Sequence, residues 1–389
     1  MAIPAPLPEN MPNGAEEPSP EAGPSTGTPK YRLAQTLSAH SRGVTALRFS
    51  PDGKLLVSAG ADGRLHFWDP RTGDHIRSLR SHKTGISDIS ISPDSLYVAT
   101  ASDDCTSTIH LLHPPSTPDG TPPPPLRILS AHTAPILSIA FSPKSNLVVT
   151  GSFDESAIIW DVRRGKPLRV LPAHADAIWC VGWDSEGGMV LTASADGLIR
   201  LWDANSGQCL KTLDNDTNSP VSFASFTPSS FFLLSSTLSS TIRVYNIHTS
   251  KVLKTLRAPG IFQSEKYPCP AVVFQGLPKD GDRNRVNVEE TDMMDIDSEG
   301  GNGHSVNGHI STINGSVDGK KGSKRQGDAW VVTGSENGKL VIWDLQTKRV
   351  LQVLEGHQSP VVAIAVHPNG KIIASGSLEV EKVINLWRD

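Results

Sequence analysis

The sequence predicts an all-β fold, a seven-bladed β-propeller, and three regularities carry that prediction. His40 and Trp68 stand 28 residues apart, as do His132 and Trp160, and His174 and Trp202. His40 to His82 spans 42 residues, and so does His132 to His174. Each interval encloses one string: a small residue before His, an apolar strand, Ser-Pro-Asp or a similar turn, a second strand ending near Ser or Thr, an Asp turn, and a third strand closing on Trp-Asp. A fixed period of this length is one supersecondary unit repeated, and four antiparallel strands per unit make a propeller blade.

Taken in chain order, blade one runs from His40 through Ser58 and Asp62 to Trp68. Blade two uses His82, Thr100 and Asp104, with Leu112 where the tryptophan is expected. Blades three and four repeat the full set as His132, Thr150, Asp154, Trp160 and His174, Thr192, Asp196, Trp202. Blade five, Pro220 to Asn246, keeps only the strand rhythm, with Tyr245 in the Trp place and Ser239 in the Asp place. Blade six closes on Trp343-Asp344 with Asn337 in its turn, and blade seven runs from His357 through Ser375 to Trp387. Stretches such as Leu55 to Gly60 and Ile372 to Ser377 are strand-like, and Pro51-Asp52-Gly53 and Pro368-Asn369-Gly370 are turns. The chain stops after the third strand of blade seven, so the missing outer strand is expected from Arg32 to Leu37, a clasp that leaves no open sheet edge.

Residues 31–389 are therefore expected to form the propeller, preceded by a disordered tail over 1–30. Residues 278–327 interrupt blade six with an acidic stretch (Glu289, Glu290, Asp292, Asp295, Asp297, Glu299), a Gly/Asn/Ser run and a basic cluster, Lys320, Lys321, Lys324 and Arg325. So few bulky apolar residues predict a disordered surface loop. The basic cluster reads equally as a nuclear-import patch or as solubilising charge. A shorter Pro-rich insertion, Pro114 to Pro125, separates blades two and three.

Composition narrows the function classes. The first thirty residues lack a secretory pattern and no apolar run is long enough to span a membrane, so a soluble intracellular protein is expected. Cys105, Cys180, Cys209 and Cys269 form no CxxC pair and read as reduced structural thiols. A net charge of −4 argues against tight binding of nucleic acid. A His/Ser/Asp set that recurs blade after blade reads as architecture rather than as a catalytic triad. Asp280-x-Asp282-x-Asn284 opens like a calcium loop, but Arg285 and Thr291 stand at the required Gly and Glu positions. No enzyme, no metal and no cofactor is expected.

Several stretches go further. Gly85 to Ile89, Gly151 to Ser156, Leu171 to Asp176, Ser206 to Thr212, Pro220 to Phe223, Glu265 to Tyr267 and Leu345 to Lys348 together resemble the WD-repeat protein 5 family. That family supplies the propeller subunit of COMPASS/MLL-type histone H3 lysine-4 methyltransferase complexes. The resemblance spans Tyr31 to Asp389 apart from the insertion. It implies a non-catalytic, nuclear scaffold, a monomer within a hetero-complex, with other complex subunits as partners and the histone H3 tail as a further candidate ligand. The alternative is a WD-repeat adaptor of another complex, such as a ubiquitin-ligase substrate receptor or a signalling scaffold.

The resemblance also implies two peptide-binding surfaces. By position, Ala61, Ser87, Asp103, Phe153, Ser222 and Phe223 correspond to a central pore that takes an arginine between two aromatic rings. Leu137 stands where one ring is expected, the second is missing around Pro268-Cys269-Pro270, Ala195 replaces a Tyr, and Trp179 replaces a small residue. Trp179 is expected either to swing into the pore as a substitute face or to pack against a neighbouring blade. Ser229, Phe232, Val244, Lys254 and Gln346 correspond to a side groove on blades five and six that takes a short acidic-apolar segment of another subunit.

Overall fold

A computed structural model describes residues 30–115, 123–215, 218–275 and 329–389. Nearly all of the expected tail, the middle of the Pro-rich insertion, and the segment 278–327 with its acidic, basic and calcium-like stretches lie outside the described residues. The described strands form seven four-stranded antiparallel sheets, and every blade runs in sequence order from the pore outwards except the last. In blade seven the outer strand is Arg32–Ser38, paired with Val383–Arg388 in a register running from Arg32↔Arg388 to Ser38↔Val383. The first and last described strands thus share one sheet. In blade six the innermost strand, Ala271–Gln275, pairs with Ala329–Gly334 across the undescribed stretch.

The sheet faces are apolar because each is covered by the next blade. Seven buried clusters result, one at each joint between neighbouring blades. At the joint of blades two and three, for example, Ala99 and Ile109 pack on Ile136, Ile139 and Trp160.

A second feature recurs at all seven joints. A long polar side chain on the outer strand of one blade donates to a main-chain carbonyl of the next. Gln35 reaches Thr72, Arg77 reaches Leu112, Arg127 reaches Arg163 and Arg169 reaches Asn205. Lys211 reaches Ile247, Lys254 reaches Leu345, and Gln352 reaches Tyr31. Five of these donors are charged and two, Gln35 and Gln352, are neutral amides. A charged donor contributes roughly 1.5–3 kcal/mol when shielded and less when exposed, a neutral one about 1 kcal/mol. These bolts stiffen the ring in the one direction that sheet hydrogen bonds do not cross.

Inside the blades, buried polar groups are satisfied by the recurring set. His132 lies 2.9 Å from Asp154 through Nδ1 and 2.8 Å from Thr150 Oγ1 through Nε2, and Trp160 Nε1 donates to the same Oγ1 at 2.8 Å. Blade four repeats this with His174, Asp196, Thr192 and Trp202, and blade seven with His357, Ser375 and Trp387, Glu381 replacing the aspartate. Blade five has lost the set, and the Ser235 hydroxyl is buried there without a partner. The expected outcome of Thr150→Val is a loss of about 2–4 kcal/mol in urea unfolding, because two buried donors or acceptors are orphaned at once. Ser235→Ala, at the equivalent site of blade five, should leave stability within about 0.5 kcal/mol of wild type.

Candidate binding surfaces

The recurring His/Asp pairs are the first group to weigh as chemistry. Each His is buried in a blade and pinned at both ring nitrogens, so none presents a nucleophile-activating base to a cleft. Burial, only partly offset by the paired carboxylate, holds His132, His174 and His357 below the ordinary histidine value. Cys180 and Cys269 are buried thiols pushed up to about 11 and about 12, which leaves them protonated and inert. Asn215, whose Asn-Asp-Thr triplet matches a glycosylation acceptor, is buried with its amide donating to Gly197 and Ser219.

The innermost strands of the blades enclose a central channel with a cavity of about 330 Å3. Arg48 Nη2 bonds Asp88 Oδ1 at 3.0 Å inside it, and the other oxygen of Asp88 accepts from Ser138 Oγ at 3.0 Å. Ser222 and Phe223 line this deeper part, and Ser222 donates to the carbonyl of Ser236. On the face formed by the Asp turns, the channel opens into a mouth of about 400 Å3 lined by Ala61, Ser87, Asp103, Leu137, Trp179 and Tyr267 among others. Ser87 donates to Asp103 at 3.0 Å, which orients the carboxylate at the rim.

Six of the seven sequence-inferred pore residues therefore line the channel or its mouth. Phe153 does not. It stands 59% exposed and is not part of either lining. Trp179 lines both the mouth and the channel, which is the first of the two placements expected for it. Sequence reasoning missed Tyr267 as a pore residue, although it lies in one of the stretches that carry the resemblance. Its loop is held by Glu336, whose carboxylate accepts from the backbone N–H groups of Glu265, Lys266 and Tyr267, the last at 2.7 Å. Two aromatic residues, Trp179 and Tyr267, thus share a mouth with a carboxylate. Aromatic faces and an anion together favour a cation.

The side-groove residues are gathered at the joint of blades five and six. Phe232 packs half-buried on the cluster that contains Val244, with Leu345 beside it. Val244 pairs with Lys254 across the sheet, and Ser229 and Gln346 are exposed on the same edge. Lys254 is engaged from within the chain: its ammonium bonds the carbonyls of Leu345 and Gln346. It is one of the seven inter-blade bolts.

Two expectations can be measured here. Replacing Glu336 by Ala should release the loop and raise hydrogen exchange at the amides of residues 265–267 while leaving the blade cores protected. His110 in blade two is a buried histidine lowered to about 4, chiefly by burial. Its folded value lies below the unfolded one, so its contribution to stability is present above pH 6.5 and is lost as pH falls towards 4. Denaturant titrations at pH 7 and pH 4.5 should show His110→Val losing less stability on acidification than wild type, by about 2–3 kcal/mol.

Comparison with known proteins agrees with this architecture. The WD domain, G-beta repeat family matches residues 31–69, 73–109, 123–161, 165–203, 207–246, 301–344 and 348–388. COMPASS component SWD3 of Saccharomyces cerevisiae is 28% identical over 366 residues, covering 89% of this chain and 95% of that protein. Similarity to WD repeat-containing protein 1 of Mus musculus is local, 42% over 84 residues, or 21% of this chain and 14% of that one. The guanine nucleotide-binding protein subunit beta of Zea mays is 29% identical over 133 residues, 34% of this chain and 35% of its own. Seven matched repeats and seven closed sheets place the chain in the WD-repeat family.

Proposed function

We propose that this protein is the non-catalytic propeller scaffold of a COMPASS-type histone H3 lysine-4 methyltransferase complex, working in the nucleus on chromatin. The observation that carries the reading is the end-to-end similarity to COMPASS component SWD3, whereas the similarities to WD repeat-containing protein 1 and the G-protein β subunit cover only parts of each chain. A rigid ring suits a scaffold, because the mouth and the groove lie on separate parts of the surface and can be occupied together.

Two finer assignments follow. The mouth, with Asp103, Trp179 and Tyr267, is assigned to a cationic side chain of a partner peptide, an arginine of another subunit or of the histone H3 tail. The groove around Ser229, Phe232, Val244, Lys254 and Gln346 is assigned to an acidic-apolar segment of a further subunit. Calorimetry with an arginine-bearing H3 peptide tests the first. Trp179→Ala and Tyr267→Ala should each weaken binding about 2–30-fold, the range of one cation–aromatic contact. Unchanged affinity in both variants would remove the mouth from the proposal.

Affinity purification with mass spectrometry tests the complex and the groove. Wild type should recover lysine-4 methyltransferase subunits, and Phe232→Ala combined with Gln346→Ala should lose one of them. Lys254 is left intact in that variant, because it braces two blades and its loss would confuse docking with ring stability. Recovery of ubiquitin-ligase or signalling subunits instead would sink the chromatin assignment and leave the fold untouched.

A further inference from the structure

Blade one departs from its sister blades at one buried position. Two residues before the closing Trp, blades three, four and six carry Ile158, Arg200 and Val341, whereas blade one carries His66. Blade two also has a histidine there, but His110 bonds both Ser81 and Thr108. His66 is different: it is 5% exposed, and its Nε2 is buried with no hydrogen-bond partner. Its other nitrogen, Nδ1, lies 2.9 Å from His75 Nε2 on the outer strand. Its ring stands edge-on to that of His40, with centroids 4.4 Å apart.

The His40–Asp62 pair beside it is also looser than its counterparts. His40 Nδ1 is 3.2 Å from both carboxylate oxygens, against 2.9 Å in blades two and three and 2.8 Å in blade four. Ligand atoms of His40, Asp62 and His66 all lie within 4.8 Å of one another. We propose that these three residues form a binding site for a divalent first-row metal ion of the zinc type, with His75 positioning His66.

The donor set fits. Two imidazoles and one carboxylate are a common ligand triad for zinc, at bonds of about 2.0–2.2 Å, with a fourth place for water. Bonds of about 2.0–2.2 Å to one ion require the three ligand atoms to draw closer than their 4.8 Å spread. A proton held on His66 Nδ1 by His75 leaves Nε2 as a lone pair, and such a second-shell contact fixes the tautomer and ring orientation of a ligating histidine. Binding through His40 Nδ1 requires the neutral tautomer with its proton on Nε2. In that tautomer Nε2 donates to Ser58 Oγ, 2.9 Å away, which also accepts from Trp68. Both contacts to Ser58 Oγ are then kept, and the bond between His40 and Ser58 reverses its direction. The ion would cross-link the entry loop, the Asp turn and the third strand of blade one, next to the blade in which Arg32–Ser38 pairs with Val383–Arg388.

The test uses the full chain, stripped with a chelator, titrated with zinc against a chromophoric chelator, and separately with cobalt(II) followed by visible absorption. The protein should compete with the indicator for one equivalent of zinc, and cobalt should give the intense d–d bands of a four-coordinate site. His66→Ile, which installs the blade-three residue, should abolish both signals, and His75→Gln should weaken zinc about 10–100-fold. No competition by wild type overturns the proposal, as does equal binding by His66→Ile, which would place the ion elsewhere on the chain. If His66→Ile fails to fold, His75→Gln decides: unchanged affinity is again fatal.

Discussion

Everything in this ring depends on the pairing of Arg32–Ser38 with Val383–Arg388. A propeller blade cannot bury its own faces. Each relies on the blade before and after, so six contiguous joints would still leave two large apolar faces in water. The clasp completes the blade that makes the seventh joint and joins the first and last described strands, which converts a row of marginal units into one closed object. Its anchor is Tyr31, fully buried, with its hydroxyl donating to the carbonyl of Gly370 and burial raising its pKa well above the ordinary phenol value. The same residue receives the bolt from Gln352. Closure, the last cluster and the last bolt therefore converge on one short segment.

Polar satisfaction is spread unevenly around this ring. Blades one, three, four and seven carry a complete His, acid, hydroxyl and Trp set, with the His bonded to the Ser or Thr hydroxyl in each. Blade six keeps only the Trp343 to Thr333 contact at 3.2 Å, and blade five keeps neither histidine nor tryptophan. The groove assigned to a partner segment lies where those two blades meet. Fewer internal hydrogen bonds mean a lower local opening energy. An occupant that packs on Phe232 would therefore add support where the ring has least of its own.

Much of this was legible in the residues. Blade count, the turn acids and the clasp all follow from constant spacing, because the same short-range physics recurs in each unit. Blade five was recognised by rhythm alone and its missing set was visible as Ser239 and Tyr245. What spacing could not reveal was anything fixed by contacts distant in sequence. Tyr267 reaches the mouth because Glu336 holds its loop from 69 residues away, across an insertion that hides the relation. Phe153 corresponds to the pore by position, and its exposure in the folded chain is a property that position alone does not reveal. His66 and His75 look in the sequence like two more polar residues on alternating strands; only the sheet register, which pairs Trp68 with His75, brings them within hydrogen-bonding reach.

Lys254 shows how one residue can be open to a structural and a binding role at once. As a position it agrees with the side groove that the resemblance implies, and read alone it is an exposed charge. Its equivalents Arg127, Arg169 and Lys211, one blade apart from each other, make the same kind of bond to the next blade. The identity of a basic residue there is thus explained by ring mechanics before any partner is considered. A partner carboxylate approaching the groove would meet an ammonium whose hydrogen bonds are already directed inward, so it gains the charge without a free donor fork. If the proposed groove is occupied, its recognition would then rest chiefly on the apolar face of Phe232 and on the exposed Gln346.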